Sequence, residues 1–207
     1  MMFSQPGEDC ELNPEIVKAL DLIFLLHADH EQNCSTSTVR TVASSRANLF
    51  ASASAGVCAL WGPLHGGANE EVMIMLYEIG SMDNVEPYIK GKLERKELIM
   101  GFGHRVYRAQ DPRSRTLRRT CEELGAPRYQ VAKALEEAAL AELRERRPDR
   151  VLETNVEFWA AVLLDFAEVP AHMFTPMFTS ARTAGWSAHI LEQKRTGRLI
   201  RPSARYV

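Results

Sequence analysis

Two histidines sit on glycine-rich turns: His65 in LWGPLHGGANE, from Leu60 to Glu70, and His104 in IMGFGHRVYRAQDPR, from Ile99 to Arg113. Glycine lets the backbone come close to a ligand or adopt dihedrals that other residues resist, and an imidazole placed there is a credible proton donor. Taken singly, either ring could equally cap or fill its turn. His27 and His30 lie three apart in HADHEQN, close enough to share a metal, yet no third ligand is evident nearby, so no metal site is expected. Arg182 stands isolated among apolar residues, where a buried guanidinium needs an anionic partner because an unpaired charge in a core costs several kcal/mol. Arg113 follows Asp111-Pro112, a cap and a first-turn proline. Its charge there opposes the helix dipole at a cost of up to about 1 kcal/mol unless a ligand anion neutralises it. Glu157 is the odd residue in the apolar stretch NVEFW, and an acid in a helix's first turn commonly just compensates the dipole.

The elements that position these residues read as helices. Asn13-Pro14-Glu15 has the form of a helix start, and Ile16, Val17, Leu20, Ile23, Phe24 and Leu26 supply a stripe that ends near His27 to His30. Ser35 to Ser45 is a loop or a buried helix, undecided by propensity. Ala51, Ala55 and Ala59 recur every four residues in a helix that stops at Gly62-Pro63, and they would let two backbones approach closely. Val72, Met75, Leu76 and Ile79 mark the next helix. Pro87 and Gly91 break the polar stretch from Gly80 to Glu97 into a short helix or two. A helix continues from Pro112 through Leu117, Cys121 and Leu124, its arginines reading as a solvated face. Tyr129 to Glu145 turns Val131, Leu135 and Ala138 inward and ends on the surface. Val156 to Phe166 is apolar, and a last long helix runs from about Ala171 to Lys194 before Gly197 and a tail carrying Arg201. Almost nothing alternates like a strand, so an all-α fold is expected.

The 207 residues suffice for a buried core, and 45% hydrophobic with 25% charged residues is an ordinary globular balance. A net charge of −2 gives no reason to expect nucleic acid or an anionic membrane as partner. Four scattered cysteines without a CxxC pair favour a reducing compartment. With no membrane-length apolar run and no signal-peptide pattern, a cytoplasmic protein is expected.

The blocks LHADHEQNCSTSTVR, WGPLHGGANE, IMGFGHRVYRAQDPR, NVEFW and MFTPMFTSARTAGWSAHILEQ, with the tail RLIRP, resemble citrate synthases of the bacterial type in order and spacing. The resemblance implies that His65 bonds the thioester carbonyl of acetyl-CoA and stabilises its enolate, and that His104 polarises the ketone of oxaloacetate. It makes His30, Arg113 and Arg182 oxaloacetate ligands, sends Arg201 into the active site of the other subunit of a dimer, and sets Arg108 near the phosphates of coenzyme A. No permanently bound cofactor is implied; the coenzyme A thioester is a co-substrate. The physical logic agrees, since arginine's planar fork suits carboxylates and two N–H donors suit the two oxygens that gain charge.

Two departures modify that picture. The family's base is the aspartate of an NVD motif, and here Glu157 stands in its place with a stem one methylene longer. The blocks also begin at what is the middle of a full-length synthase. Residues 1–75 and 182–207 would then be a remnant of the large, dimerising domain and 76–181 the small domain. The apolar faces of Pro14 to His30 and Ala47 to Trp61 would lack cover, and Arg46 and Leu49, where the motif usually has glycine and proline, would belong to a remodelled contact. The expectation is a citrate synthase-like acyltransferase joining an acyl-CoA to oxaloacetate or a related 2-oxo acid. It would act as one subunit of a split enzyme, in a homo-oligomer or in a hetero-complex with a protein supplying the N-terminal half. The alternative is a catalytically impaired regulatory or structural subunit that binds oxaloacetate or coenzyme A.

Overall fold

The computed structural model describes Gly7 and residues 11–104, 106–107 and 109–205. Nine α-helices account for the architecture among these residues: α1 (Pro14–His27), α2 (Cys34–Ser44), α3 (Leu49–Leu60), α4 (Ala68–Ile79), α5 (Val85–Glu94), α6 (Pro112–Glu123), α7 (Tyr129–Arg146), α8 (Val156–Phe166) and α9 (Phe174–Thr196). Short 3-10 turns, Met82–Asn84 and Ala171–Met173, lead into α5 and α9. The fold is all-α, as the periodicity requires. No helix among the described residues is long and apolar enough to cross a membrane.

Side-chain caps start four of the helices. Asn13, Asn33, Asn48 and Asp111 each accept a main-chain N–H of the first turn, satisfying a donor that the helix itself cannot pair. Asn33 decides the Ser/Thr-rich stretch in favour of a helix. Pro87 falls in the first turn of α5, where a missing N–H costs nothing, so the expected break at this proline does not occur. Pro176 is accommodated in the same way near the start of α9, although that helix begins at Phe174 and not at Ala171.

The largest core cluster centres on α8, whose Val156 and Phe158 to Leu164 are all buried. It packs against α4 and α6, with α1 beside it. A second cluster joins Val39 and Ala43 of α2, Leu60 of α3, and Phe178, Trp186 and Ile190 of α9. Here the expected alanine seam is displaced by one residue. The buried face of α3 is Ser52, Gly56 and Leu60, while Ala51 is exposed and Ala55 and Ala59 are half-buried. That outward face continues into Phe50 (80% exposed), Trp61 (75%) and Leu64 (82%), and α1 adds the exposed Leu25.

In α7 the inward stripe is Tyr129, Ala132, Leu135, Glu136 and Ala139, so an acid lies inside where the pattern predicts alanine and valine. Glu136 accepts hydrogen bonds from Thr154 Oγ1 (2.6 Å) and Trp159 Nε1 (2.9 Å), and Arg118 Nε lies 2.9 Å from its other oxygen. Arg118 is thus no member of a solvated arginine face. Its charge is matched by a buried carboxylate that fastens α6, α7 and the start of α8 together.

Gly185 is where α9 approaches the end of α1. Its N–H donates to the Ala28 carbonyl at 3.0 Å, and a Cβ there would lie 2.3 Å from the same oxygen. Alanine normally gains about 1 kcal/mol over glycine inside a helix. Gly185→Ala will nevertheless destabilise the protein, by about 1–3 kcal/mol, because a backbone oxygen must move. The midpoint of urea unfolding measures the effect, and an unchanged or raised midpoint would show that α9 does not approach so closely.

Candidate active site

A single cleft of about 1490 Å³ is lined by His30, His65, His104, Arg113, Glu157 and Arg182. Six of the eight candidate residues therefore converge, although they come from six separate elements and connections. Arg201 lies on the exposed C-terminal tail and does not line the cleft, and Arg108 lies outside the described residues.

His65 occupies the tight connection between α3 and α4. Gly66 donates its N–H to the Leu60 carbonyl at 2.8 Å, where a Cβ would come within 2.6 Å of that oxygen. Glycine is needed there for space, and neither Gly66 nor Gly67 adopts the left-handed region. The imidazole Nε2 accepts the main-chain N–H of Ser35 (3.3 Å) and lies 2.9 Å from Ser35 Oγ. A main-chain N–H can only donate, so the neutral ring carries its proton on Nδ1. Burial and then the charge of Arg182 hold the His65 pKa down to about 4, which keeps the ring neutral at pH 7.

His104 is arranged in the opposite sense. Gly101 (φ +89°) and Gly103 (φ +86°) do use the left-handed freedom that the sequence suggested. The turn brings the main-chain N–H groups of Val106 (3.0 Å) and Tyr107 (3.1 Å) onto His104 Nδ1, leaving the proton on Nε2. Burial lowers this pKa as well. His30 stands edge-on to it with ring centres 5.2 Å apart, and its own pKa is lowered to about 4 by burial and then by Arg113.

The same turn is fastened to the start of α8. Gly103 N–H donates to the Glu153 carbonyl (2.7 Å), Asn155 N–H to that of Gly101 (3.0 Å), and Asn155 Nδ2 to that of Gly103 (3.2 Å). His104 and Glu157 are thereby held in one unit. Burial raises the Glu157 carboxyl above its ordinary range, against the pull of Arg113 and Arg182.

The two arginines differ. Arg113 forms a bidentate pair with Asp111, through Nε to Oδ1 (3.1 Å) and Nη2 to Oδ2 (2.8 Å). The cap residue of α6 thus offsets its charge at the helix start, a partner that the sequence reading did not name. Arg182 is 1% exposed and has no carboxylate partner among the described residues. Its Nε donates to the His27 carbonyl (2.7 Å), its guanidinium lies over the Phe178 ring at 4.8 Å, and its Nη1 has no hydrogen-bond partner.

Sequence reasoning missed Ser35, Tyr107 and a basic group of Lys96, Arg146, Arg147 and Arg150 that also lines the cleft. The group belongs to charge runs that read as surface. Ser35 carried no signal in a stretch of similar residues. Asp111 could have been found, because an acid capping a helix two residues before an arginine can reach back to it.

A helical fold that gathers neutral histidine donors, a half-buried carboxyl and an unpaired arginine in one cleft has the equipment for acid–base chemistry on an anionic ligand. The chain belongs to the citrate synthase family, whose C-terminal domain model matches residues 1–203. A relative from Mycobacterium tuberculosis H37Rv, provisionally named as a second citrate synthase, is 58% identical over 197 residues, covering 95% of this chain and 53% of the relative. Citrate synthase from Thermoplasma acidophilum, solved in ternary complex with carboxymethyl-coenzyme A and oxaloacetate, is 29% identical with a TM-score of 0.87 over 95% of this chain and 53% of that one. A citryl-CoA lyase from Hydrogenobacter thermophilus is 26% identical with a TM-score of 0.80, over 95% and 78%. The chain spans about half the length of the curated relatives it matches.

His27, 2% exposed behind the site, donates Nδ1–H to the Ile23 carbonyl (2.8 Å), and burial lowers its pKa to about 3. The unfolded chain protonates the same ring near pH 6.5, so its contribution to stability is lost as pH falls below about 6.5 toward the folded value. The loss should be about 1.4 kcal/mol per pH unit. Urea unfolding at pH 7.5, 6.5 and 5.5 checks this by difference: His27→Gln should abolish that part of the slope, and parallel curves would mean that His27 takes up its proton equally readily in the folded and unfolded chain.

Proposed function

We propose that this cleft joins an acyl-CoA to oxaloacetate or a related 2-oxo acid, giving citrate or an alkylcitrate and free coenzyme A. The observation that carries the reading is Arg182, buried in the cleft wall with Nη1 unpartnered beside two histidines that present opposite nitrogens as donors. A dicarboxylate with a ketone between its ends meets all of those requirements.

In the proposed reaction Glu157 removes a proton from the carbon next to the thioester, and His65 Nδ1–H donates to the thioester oxygen as it gains charge. The resulting carbon nucleophile forms a bond to the ketone carbon of the 2-oxo acid, while His104 Nε2–H protonates the ketone oxygen. Water then cleaves the thioester and releases the thiol. His30, Arg113 and Arg182 hold the carboxylates. Burial makes the Glu157 carboxylate a stronger base than an exposed one, which suits a weakly acidic C–H. Run backwards, the bond-forming step cleaves a citryl thioester.

The basic group of Lys96, Arg146, Arg147 and Arg150 suits the phosphates of coenzyme A, a role the sequence gives to Arg108 as well. Arg201, free on its tail, suits a reach into a second copy's cleft. The exposed Leu25, Phe50, Trp61 and Leu64 suit burial against the remaining half of the family's fold, supplied by another chain, or against a second copy.

Thiol release from acetyl-CoA and longer acyl-CoAs in the presence of oxaloacetate tests the reading, on the purified chain and after co-expression with its neighbouring genes. Glu157→Ala should lower turnover by about 100- to 10,000-fold with oxaloacetate affinity retained. Glu157→Asp, which restores the shorter stem, should raise turnover of acetyl-CoA. Oxaloacetate binding without thiol release from any acyl-CoA would replace the enzyme by a regulatory binding subunit.

A further inference from the structure

Tyr107 touches two of the groups assigned to the 2-oxo acid, His30 and His104, and faces a third, Arg113. It lies on the connection between α5 and α6, three residues beyond His104. Its hydroxyl is 3.1 Å from Nε2 of His30, which belongs to the separate connection between α1 and α2. Its ring stacks at a tilt on His104 (centroids 4.6 Å apart, 36°) and meets His30 at 5.5 Å (56°), while the Arg113 guanidinium lies 6.0 Å from its centre. Its main-chain N–H is one of the two donors on His104 Nδ1.

We propose that Tyr107 is a positioning residue for the 2-oxo acid: its hydroxyl donates to His30 Nε2 while its N–H fixes His104, so each ring turns its other N–H toward the ligand. The inference rests on reading the cleft as a 2-oxo dicarboxylate site. A neutral imidazole can bind a carboxylate only through an N–H, and the nitrogen left over must accept from something. A phenol is the better donor of such a pair, and the bond places the His30 proton on Nδ1. The same bond ties the His104 turn to the His30 connection, which share no other side-chain hydrogen bond among the described residues. Without the hydroxyl, His30 is free to shift its proton to Nε2 or to rotate, and its donor is lost even though the residue remains.

Three measurements on the intact chain test this. In wild type, imidazole ¹⁵N shifts should report His30 as the Nδ1–H tautomer, and in Tyr107→Phe as a mixture or as Nε2–H. Calorimetry with oxaloacetate should show affinity about tenfold weaker in Tyr107→Phe, the size of one hydrogen bond to a charged ligand lost. In a His30→Ala background the same substitution should change affinity less than twofold, because the path through His30 is already gone. In the active assembly, the KM for the 2-oxo acid should rise while that for the acyl-CoA stays within twofold, a split that general loosening of the fold would not produce. Wild type that binds oxaloacetate, with Tyr107→Phe binding equally and His30 in an unchanged tautomer, overturns the positioning role and leaves the site reading standing. Wild type that binds no oxaloacetate overturns the site reading, and the positioning role with it.

Discussion

The arrangement depends on one buried positive charge. Removing a guanidinium from water costs several kcal/mol unless an opposite charge and hydrogen bonds replace the solvent, and among the described residues Arg182 receives only a carbonyl from His27 and the face of Phe178. The surrounding structure has to hold it in place. Gly185, one turn further along α9, admits the Ala28 carbonyl, so the end of α1 is locked against the helix that carries the charge. An arginine so held keeps part of its desolvation cost unmet, and in the proposed function that deficit is what favours an anionic ligand. Arg113, already paired with Asp111, contributes field and shape more than an unmet charge.

That field adds to burial at the histidines. Burial is the larger influence on His27, His30 and His65, and Arg182 pushes each of them in the same direction. All three are neutral near pH 7. A neutral ring donates through only one nitrogen, so which nitrogen is occupied from behind becomes the decisive question. Main-chain N–H groups answer it for His65 and His104, and they can neither titrate nor change sides. The two donors are thus fixed by backbone: His104 by the N–H groups of its own glycine-framed turn, and His65 by the N–H of Ser35 at the start of α2.

The helices were readable because their caps and stripes are local: Asn13-Pro14 and Asp111-Pro112 mark starts, and Val72 to Ile79 marks a face. The six cleft residues could be singled out one by one, but their convergence on one cleft was readable only through a family's motifs, since a connection's geometry depends on contacts far away in sequence. His65 meets Ser35 across thirty residues, and no periodicity reports that. The failures have the same origin. Alanine spacing on α3 pointed to a packing seam, but the seam against α2 and α9 runs one residue over, through Ser52, Gly56 and Leu60. A buried acid, Glu136, looked like surface because its partners Arg118, Thr154 and Trp159 come from other elements.

Glu157 is the residue on which fold and proposed chemistry press hardest against each other. Its main chain is fixed by the bridge between residues 101–103 and 153–155, so the extra methylene relative to aspartate cannot be absorbed by sliding the start of α8 without also moving His104. The adjustment therefore falls on the side chain or on the substrate. Bending back the longer stem costs rotamer freedom, whereas a displaced carbon acid would need a differently shaped pocket around the acyl group. Since a misplacement of about 1 Å can cost on the order of 100-fold in rate, a working glutamate in this position implies that the donors on His65 and His104 sit in register with a substrate set slightly further from α8. The bridge makes that register a property of the fold, and in the proposed reaction the length of one side chain decides which acyl group meets it.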